Sequence, residues 1–163
     1  MSDGLPDALA YRLGYLLKHA QQGLVQAAAP ALAPFGIDGR ELAVLTVLGA
    51  DVPLSQHEAA GQLGIDRTTM VAHVDALEDK GLVVRRRSPH DRRKNIVELT
   101  PAGHKCLREA GRARDEVERD FLAPLGADAA AEFVRALQVL VASPPGRDRP
   151  AAHEGSVRTR AAR

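Results

Sequence analysis

From Ser55 to Leu99 the sequence places two short helix signals on either side of a glycine and follows them with two strand signals, an order few folds can satisfy. Ser55-Gln56-His57-Glu58 reads as a capping box, with serine and glutamate each satisfying the other's backbone amide. Ala59, Ala60 and Leu63 give this short helix an apolar side, and Gly64 ends it. Asp66 can cap a second helix that runs to about Lys80 and stops at Gly81. Leu82–Arg85 and Asn95–Leu99 then read as strands of a hairpin, joined through the turn-prone Ser88-Pro89-His90-Asp91. Ala60 is small at the crossing of the two helices, with Leu63, Ile65 and Met70 around it. That is the pattern of a helix-turn-helix, capped at its start by Ser55, and the hairpin adds a wing.

The second helix is two-sided. At about 100° per residue, Met70, Val71, Val74 and Leu77 form an inward stripe, and Thr68, Thr69, Ala72 and Ala76 face away. A small, uncharged outer face lets a helix sit deep in a major groove, where hydroxyls reach base edges and methyls touch thymine. Arg67 and His73 complete the candidate recognition set.

Net charge is only +1, so its distribution matters more than its total. Arg85, Arg86, Arg87, Arg92, Arg93 and Lys94 stand against Asp91 alone, which puts +5 in ten residues and leaves the rest of the chain at −4. A basic wing on an acidic background points to a polyanion, with arginines neutralising phosphates or entering a narrow minor groove.

The flanks are helical. Residues 5–29 carry Leu9, Leu13, Leu16, Leu17, Ala20 and Leu24 at helical spacing, and Ala28–Pro30 with Pro34–Gly36 is expected to end that helix. Asp38 and Glu41 cap a helix with Leu42, Leu45, Val47 and Leu48, ending near Gly49. Thr100-Pro101 opens another as N-cap and first helical residue, continuing through Leu107, Ala110, Val117 and Phe121 to Pro124. The last helix spans about 127–142, with Ala130, Phe133, Val134, Leu137, Leu140 and Val141 on one face. The expected fold is mainly α with a small β-wing and six helices, one domain over 1–142. Within it, dimerisation helices at about 5–29 and 101–142 flank a winged helix-turn-helix at about 38–100. Residues 143–163, rich in Arg, Ala and Pro, read as a disordered tail.

Aromatic residues make up 3% of the chain and tryptophan is absent, so Ala, Leu and Val must fill the core. Cys106 is the single cysteine, so no internal disulfide is available. Without a leader pattern or an apolar run near about 18 residues, the chain is expected in the cytoplasm. His104-x-Cys106 is the one close pairing among the histidines and cysteine, too few ligands for zinc. No nucleophile–base pair, phosphate-cradling loop, cofactor motif or metal motif asks for catalysis.

Gly81-Leu82-Val83-Val84-Arg85, then Asp91-Arg92-Arg93, then Val97-Glu98-Leu99-Thr100-Pro101-Ala102-Gly103 resembles the MarR family of bacterial transcriptional regulators. The helix order on both sides agrees, so the resemblance covers about residues 8–141. It implies an intertwined homodimer held by the first and last helices, acting on double-stranded DNA. It also implies that Asp91 and Arg93 match the family's Asp-x-Arg wing motif, in which the arginine enters the minor groove and the aspartate orients wing arginines. Many relatives carry arginine where this chain has Ala72, which leaves base reading shared among Arg67, Thr68, Thr69 and the wing.

A family member of this kind is expected to act as a repressor on a palindromic operator, released by a small phenolic or aromatic acid. Tyr15 and His19 on the first helix and Leu45 on the second are the candidate pocket residues. The alternative is a winged-helix module that binds protein and has no DNA activity. The basic wing separates the two, because a protein-binding module has no reason to keep it.

Overall fold

The computed structural model describes residues 11–50, 54–87 and 95–143. The expected helix start at residues 5–10, the wing tip and the tail beyond 143 lie outside them. The described residues form six α-helices, two short 3-10 turns and one two-stranded sheet, in the order α1 (Leu13–Leu32), α2 (Gly39–Leu48), α3 (Gln56–Leu63), α4 (Arg67–Asp79), β1 (Val83–Arg87), β2 (Asn95–Leu99), α5 (Pro101–Leu122) and α6 (Ala127–Ala142). This is the mainly helical winged architecture anticipated above. The chain divides into two compact units, Met1–Leu122 and Ala123–Arg163.

α1 departs from expectation at its end. It runs through Pro30 to Leu32 and passes into a 3-10 turn at Ala33–Phe35, closed by Gly36 at φ 67°. A proline in the last turn removes one backbone donor, yet the Ala33 amide still reaches the Ala29 carbonyl. Ala28 and Leu32 are buried on either side of the proline, and that packing offsets the missing bond.

α2 begins with a full capping box. Asp38 Oδ1 accepts from the amides of Arg40 and Glu41, both at 2.8 Å, and the Asp38 amide donates to Glu41 Oε2 at 3.0 Å. Glu41 is also buried and accepts from Lys80 Nζ at 2.6 and 2.8 Å, tying the start of α2 to the end of α4.

The core of the first unit is aliphatic. Leu32, Val44, Leu45, Met70, Val74, Leu77, Val83 and Val97 are fully buried, so α1, α2, α4 and both strands meet at one centre. Each large side chain buried there contributes about 1.5–3 kcal/mol. α5 adds Gly103, Cys106 and Ala110, and its Phe121 ring stands against Gly23 of α1, where an added Cβ would lie 3.3 Å away.

β1 and β2 pair antiparallel, with Val83 opposite Leu99, Arg85 opposite Val97 and Arg87 opposite Asn95. A single bridge between Ser55 and Ile96 fastens the entry of α3 to this hairpin. In the second unit, none of the α6 side chains is buried, and Val139, Leu140 and Val141 are open. No helix among the described residues is long and apolar enough to cross a membrane.

Candidate nucleic-acid interface

The helix-turn-helix is set by its caps. Ser55 Oγ accepts from the Glu58 amide at 3.3 Å, and the Ser55 amide donates back to Glu58 Oε2 at 2.8 Å, which fixes where α3 starts. Gly64, at φ 64°, ends α3 in a left-handed turn that a side chain would strain. Two residues later Asp66 caps α4. Its Oδ1 accepts from the Thr69 amide at 2.9 Å, and Thr69 Oγ1 donates to its Oδ2 at 2.6 Å. The Thr69 hydroxyl bond, followed by the Thr69 amide, holds the Asp66 carboxyl below its ordinary value of 3.8.

α4 buries Met70, Val74 and Leu77 completely, whereas Val71 is only half-buried. Residues 70, 74 and 77 fall within one narrow stripe, and Val71 stands about 100° round from Met70, at the flank. Arg67, Thr68 and Ala72 are exposed. Thr69, His73 and Ala76 are half-buried, and the Thr69 hydroxyl is occupied by the cap, so three of the six expected recognition residues stand fully open. Thr69 and His73 instead line a groove of about 470 Å³ with Arg40, Ala43, Leu63 and Ile65.

In the wing, the described cations differ from one another. Arg87 is exposed, and Arg86 is 66% exposed with Nε 3.3 Å from Glu98 Oε2 across the hairpin. Arg85 is 25% exposed and turned onto α4, where its guanidinium donates to both Asp75 and Glu78. Its amide also donates to Glu78 Oε1 at 3.1 Å. Burial works against its charge, but the bonds to Asp75 and Glu78 outweigh it and raise its pKa above the ordinary value. Asp91, Arg92, Arg93 and Lys94 lie outside the described residues.

Asp75 and Glu78 were missed by sequence reasoning, although two signals marked them. They stand three apart on α4, and strand alternation places Arg85 on the same face as buried Val83.

The candidate ligand residues differ in exposure. Leu45 is a fully buried core residue and offers no open face, because α2 is packed from several sides. Tyr15, half-buried, and His19, exposed, remain together on α1, their ring centroids 3.9 Å apart and His19 Nδ1 2.9 Å from the Tyr15 carbonyl oxygen. Among the described residues no group of three or more His, Cys, Asp or Glu could hold a metal ion.

A family model described as MarR family matches residues 35–94, from the turn before α2 to the residue preceding β2. A Thauera aromatica protein described as a regulatory protein for the hcr operon is 33% identical over 119 residues, 72% of each chain. The transcriptional repressor CouR bound to a 23-mer DNA duplex is 34% identical, with a TM-score of 0.76 over 86% of this chain and 99% of that one. CouR from Rhodococcus jostii RHA1 bound to p-coumaroyl-CoA is 27% identical, with a TM-score of 0.74 over 88% of this chain and 100% of that one. With the fold, the capped helix-turn-helix and these likenesses in agreement, the chain belongs to the MarR family of transcriptional regulators.

Proposed function

We propose that this regulator is a homodimeric repressor that binds a palindromic operator through α4 and the wing. The observation that carries this reading is the adjacency of two surfaces. The open residues of α4 (Arg67, Thr68, Ala72) stand on a helix packed against β1, the strand that carries the exposed Arg86 and Arg87. Such a helix reads base edges, while exposed arginines hold phosphates and supply most of the affinity. Asp91, Arg92, Arg93 and Lys94 extend the basic run at the wing. The DNA-bound CouR structure supports the same use of the fold.

The N-terminal helix α1 and residues 101–142 form the dimerisation region in this reading. Their exposed leucines and valines are the support for it. Two-fold symmetry would then match half-sites about 34–36 Å apart. A small aromatic acid or its thioester releases the operator, a role supported by the p-coumaroyl-CoA bound to CouR and by the tilted Tyr15–His19 ring pair on α1.

The deciding experiment is a gel-shift titration against the upstream intergenic DNA and an unrelated fragment, at two salt concentrations. Tight, saturable binding to the upstream DNA alone is expected, falling steeply with salt. Arg93→Ala should weaken it by about 1–3 kcal/mol. Equal affinity for both fragments, or none at low salt, would sink the proposal.

A further inference from the structure

Arg85 occupies a position that separates it from every other described wing cation. Strand alternation places Val83 and Arg85 on one face of β1, and Val83 is in the core. One step further out the core ends, and the surface beneath β1 is the last two turns of α4, which present Asp75 and Glu78. The guanidinium donates through Nη1 to Glu78 Oε2 and through Nη2 to Asp75 Oδ1. The Arg85 amide donates to the remaining Glu78 oxygen at 3.1 Å. Side chain and backbone of one wing residue are therefore both bonded to α4. Asp75 and Glu78 remain 57% and 37% exposed, so the pairing sits at the rim of the core beside the open face of α4.

A phosphate could recruit Arg85 only by displacing two charge-assisted hydrogen bonds. That would leave two carboxylates unpaired next to a polyanion. Arg87 has no such pairing among the described residues, and Arg86 would give up only its single, exposed contact with Glu98. We infer that Arg85 is a positioning residue: with Asp75 and Glu78 it locks the root of the wing to α4 and sets the angle at which the two DNA-contacting elements enter their grooves. The same pairing neutralises two acids that would otherwise repel the DNA backbone. This inference rests on the DNA-binding reading above.

The test has one readout with DNA and one without. Each phosphate that a variant no longer neutralises shallows the slope of log affinity against log salt by about 0.9. Arg87→Ala is expected to shallow it. Arg85→Ala is expected to weaken operator binding tenfold or more and leave the slope unchanged. Arg85→Lys should recover little of that loss, because an ammonium lacks the planar fork that spans two carboxylates.

The double substitution Asp75→Asn with Glu78→Gln gives the sharper result. Removing two negative charges near DNA should by itself tighten binding. If these acids orient the wing, binding weakens instead. Tighter binding by the double variant, or a shallower slope for Arg85→Ala, overturns the assignment.

Without DNA, amide hydrogen exchange at residues 83–87 should quicken in Arg85→Ala and in the double variant, and stay unchanged in Arg87→Ala. Unchanged exchange in all three also overturns it. If exchange responds as expected while the wild-type chain binds no DNA at low salt, the lock stands as a structural feature and the DNA-binding reading is what fails.

Discussion

The carbonyl oxygen of Leu82 lies well inside van der Waals distance of where a Cβ on Gly103 would stand. Two hydrogen bonds of Thr100 enforce this approach. Thr100 Oγ1 donates to the Gly81 carbonyl at 2.7 Å and accepts from the Gly103 amide at 3.0 Å, so the cap of α5 also pins the exit from α4. Glycine to alanine inside a helix ordinarily stabilises by about 0.5–1 kcal/mol. Here the clash is with backbone and cannot be relieved by a rotamer change. Gly103→Ala is expected to cost about 2–3 kcal/mol net, as overpacking does. Thermal unfolding followed by circular dichroism checks it, and a melting temperature at or above wild type would contradict the close approach.

Glu41 serves two elements at once, as the return arm of the α2 capping box and as the acceptor for Lys80 Nζ. Lys80 is 38% exposed and can regain water when its partner is removed, so the loss is smaller than for a fully buried pair. Glu41→Ala should destabilise by about 1–2 kcal/mol, and Glu41→Gln by less, since the amide oxygen still accepts from Asp38. Urea titration of the three proteins orders them. Equal midpoints for Ala and wild type would mean that the pair contributes nothing.

The Asp66 cap has a defined acid limit. Its carboxyl titrates below 3.8 in the folded chain, chiefly through the Thr69 hydroxyl and amide bonds. A depressed folded value means that the stabilisation is complete above the unfolded value and is lost as pH falls through the folded one. α4 should therefore keep its N-terminal cap down to about pH 4 and lose it only in stronger acid. An NMR titration of the Thr69 amide should show its transition below 3.8. A transition at or above that value would mean that the bond is not formed.

Cys106 faces the core from α5, and burial, followed by the charges of Glu109 and Glu41, raises its thiol above the ordinary 9.0. Little thiolate is then present near neutral pH, and what is present is covered. A disulfide reagent at pH 8 should label the native protein at least about tenfold more slowly than the urea-unfolded chain. Equal rates would show an open, reactive thiol.

Leu13 on α1 and Leu140 on α6 are each largely exposed in the single chain. Light scattering should give about 35 kDa, twice the 17.4 kDa of one chain. Leu140→Asp should shift the mass toward the monomer, since a carboxylate in an apolar interface is costly. A monomeric wild type would remove the basis for a two-fold operator.

Local signals decided where the elements of this chain begin and end. Asp38, Ser55, Asp66 and Thr100 each accept the amide three residues on, and Gly64 and Gly81 adopt positive φ where their helices stop. These are short-range bonds and steric allowances, so they can be read from spacing without knowing the fold. The family signature from Gly81 to Gly103 was legible as residue types at fixed spacing. The end of α1 was not legible, since Pro30 is a local warning that burial of Ala28 and Leu32 overrides.

What only the tertiary structure decided is which charged and apolar groups are free. Arg85, Arg86 and Arg87 are indistinguishable as a run of basic residues. They differ because the edge of the core passes beneath β1 and sets Arg85 against Asp75 and Glu78, leaving Arg87 in solvent. Leu45, one of the aliphatic residues of α2, is enclosed completely by the core. Partners 10 or 39 residues apart, such as Asp75 with Arg85 and Glu41 with Lys80, meet only when the core closes. Spacing carries the backbone's local bonds, and the fate of a side chain depends on what the rest of the chain brings to it.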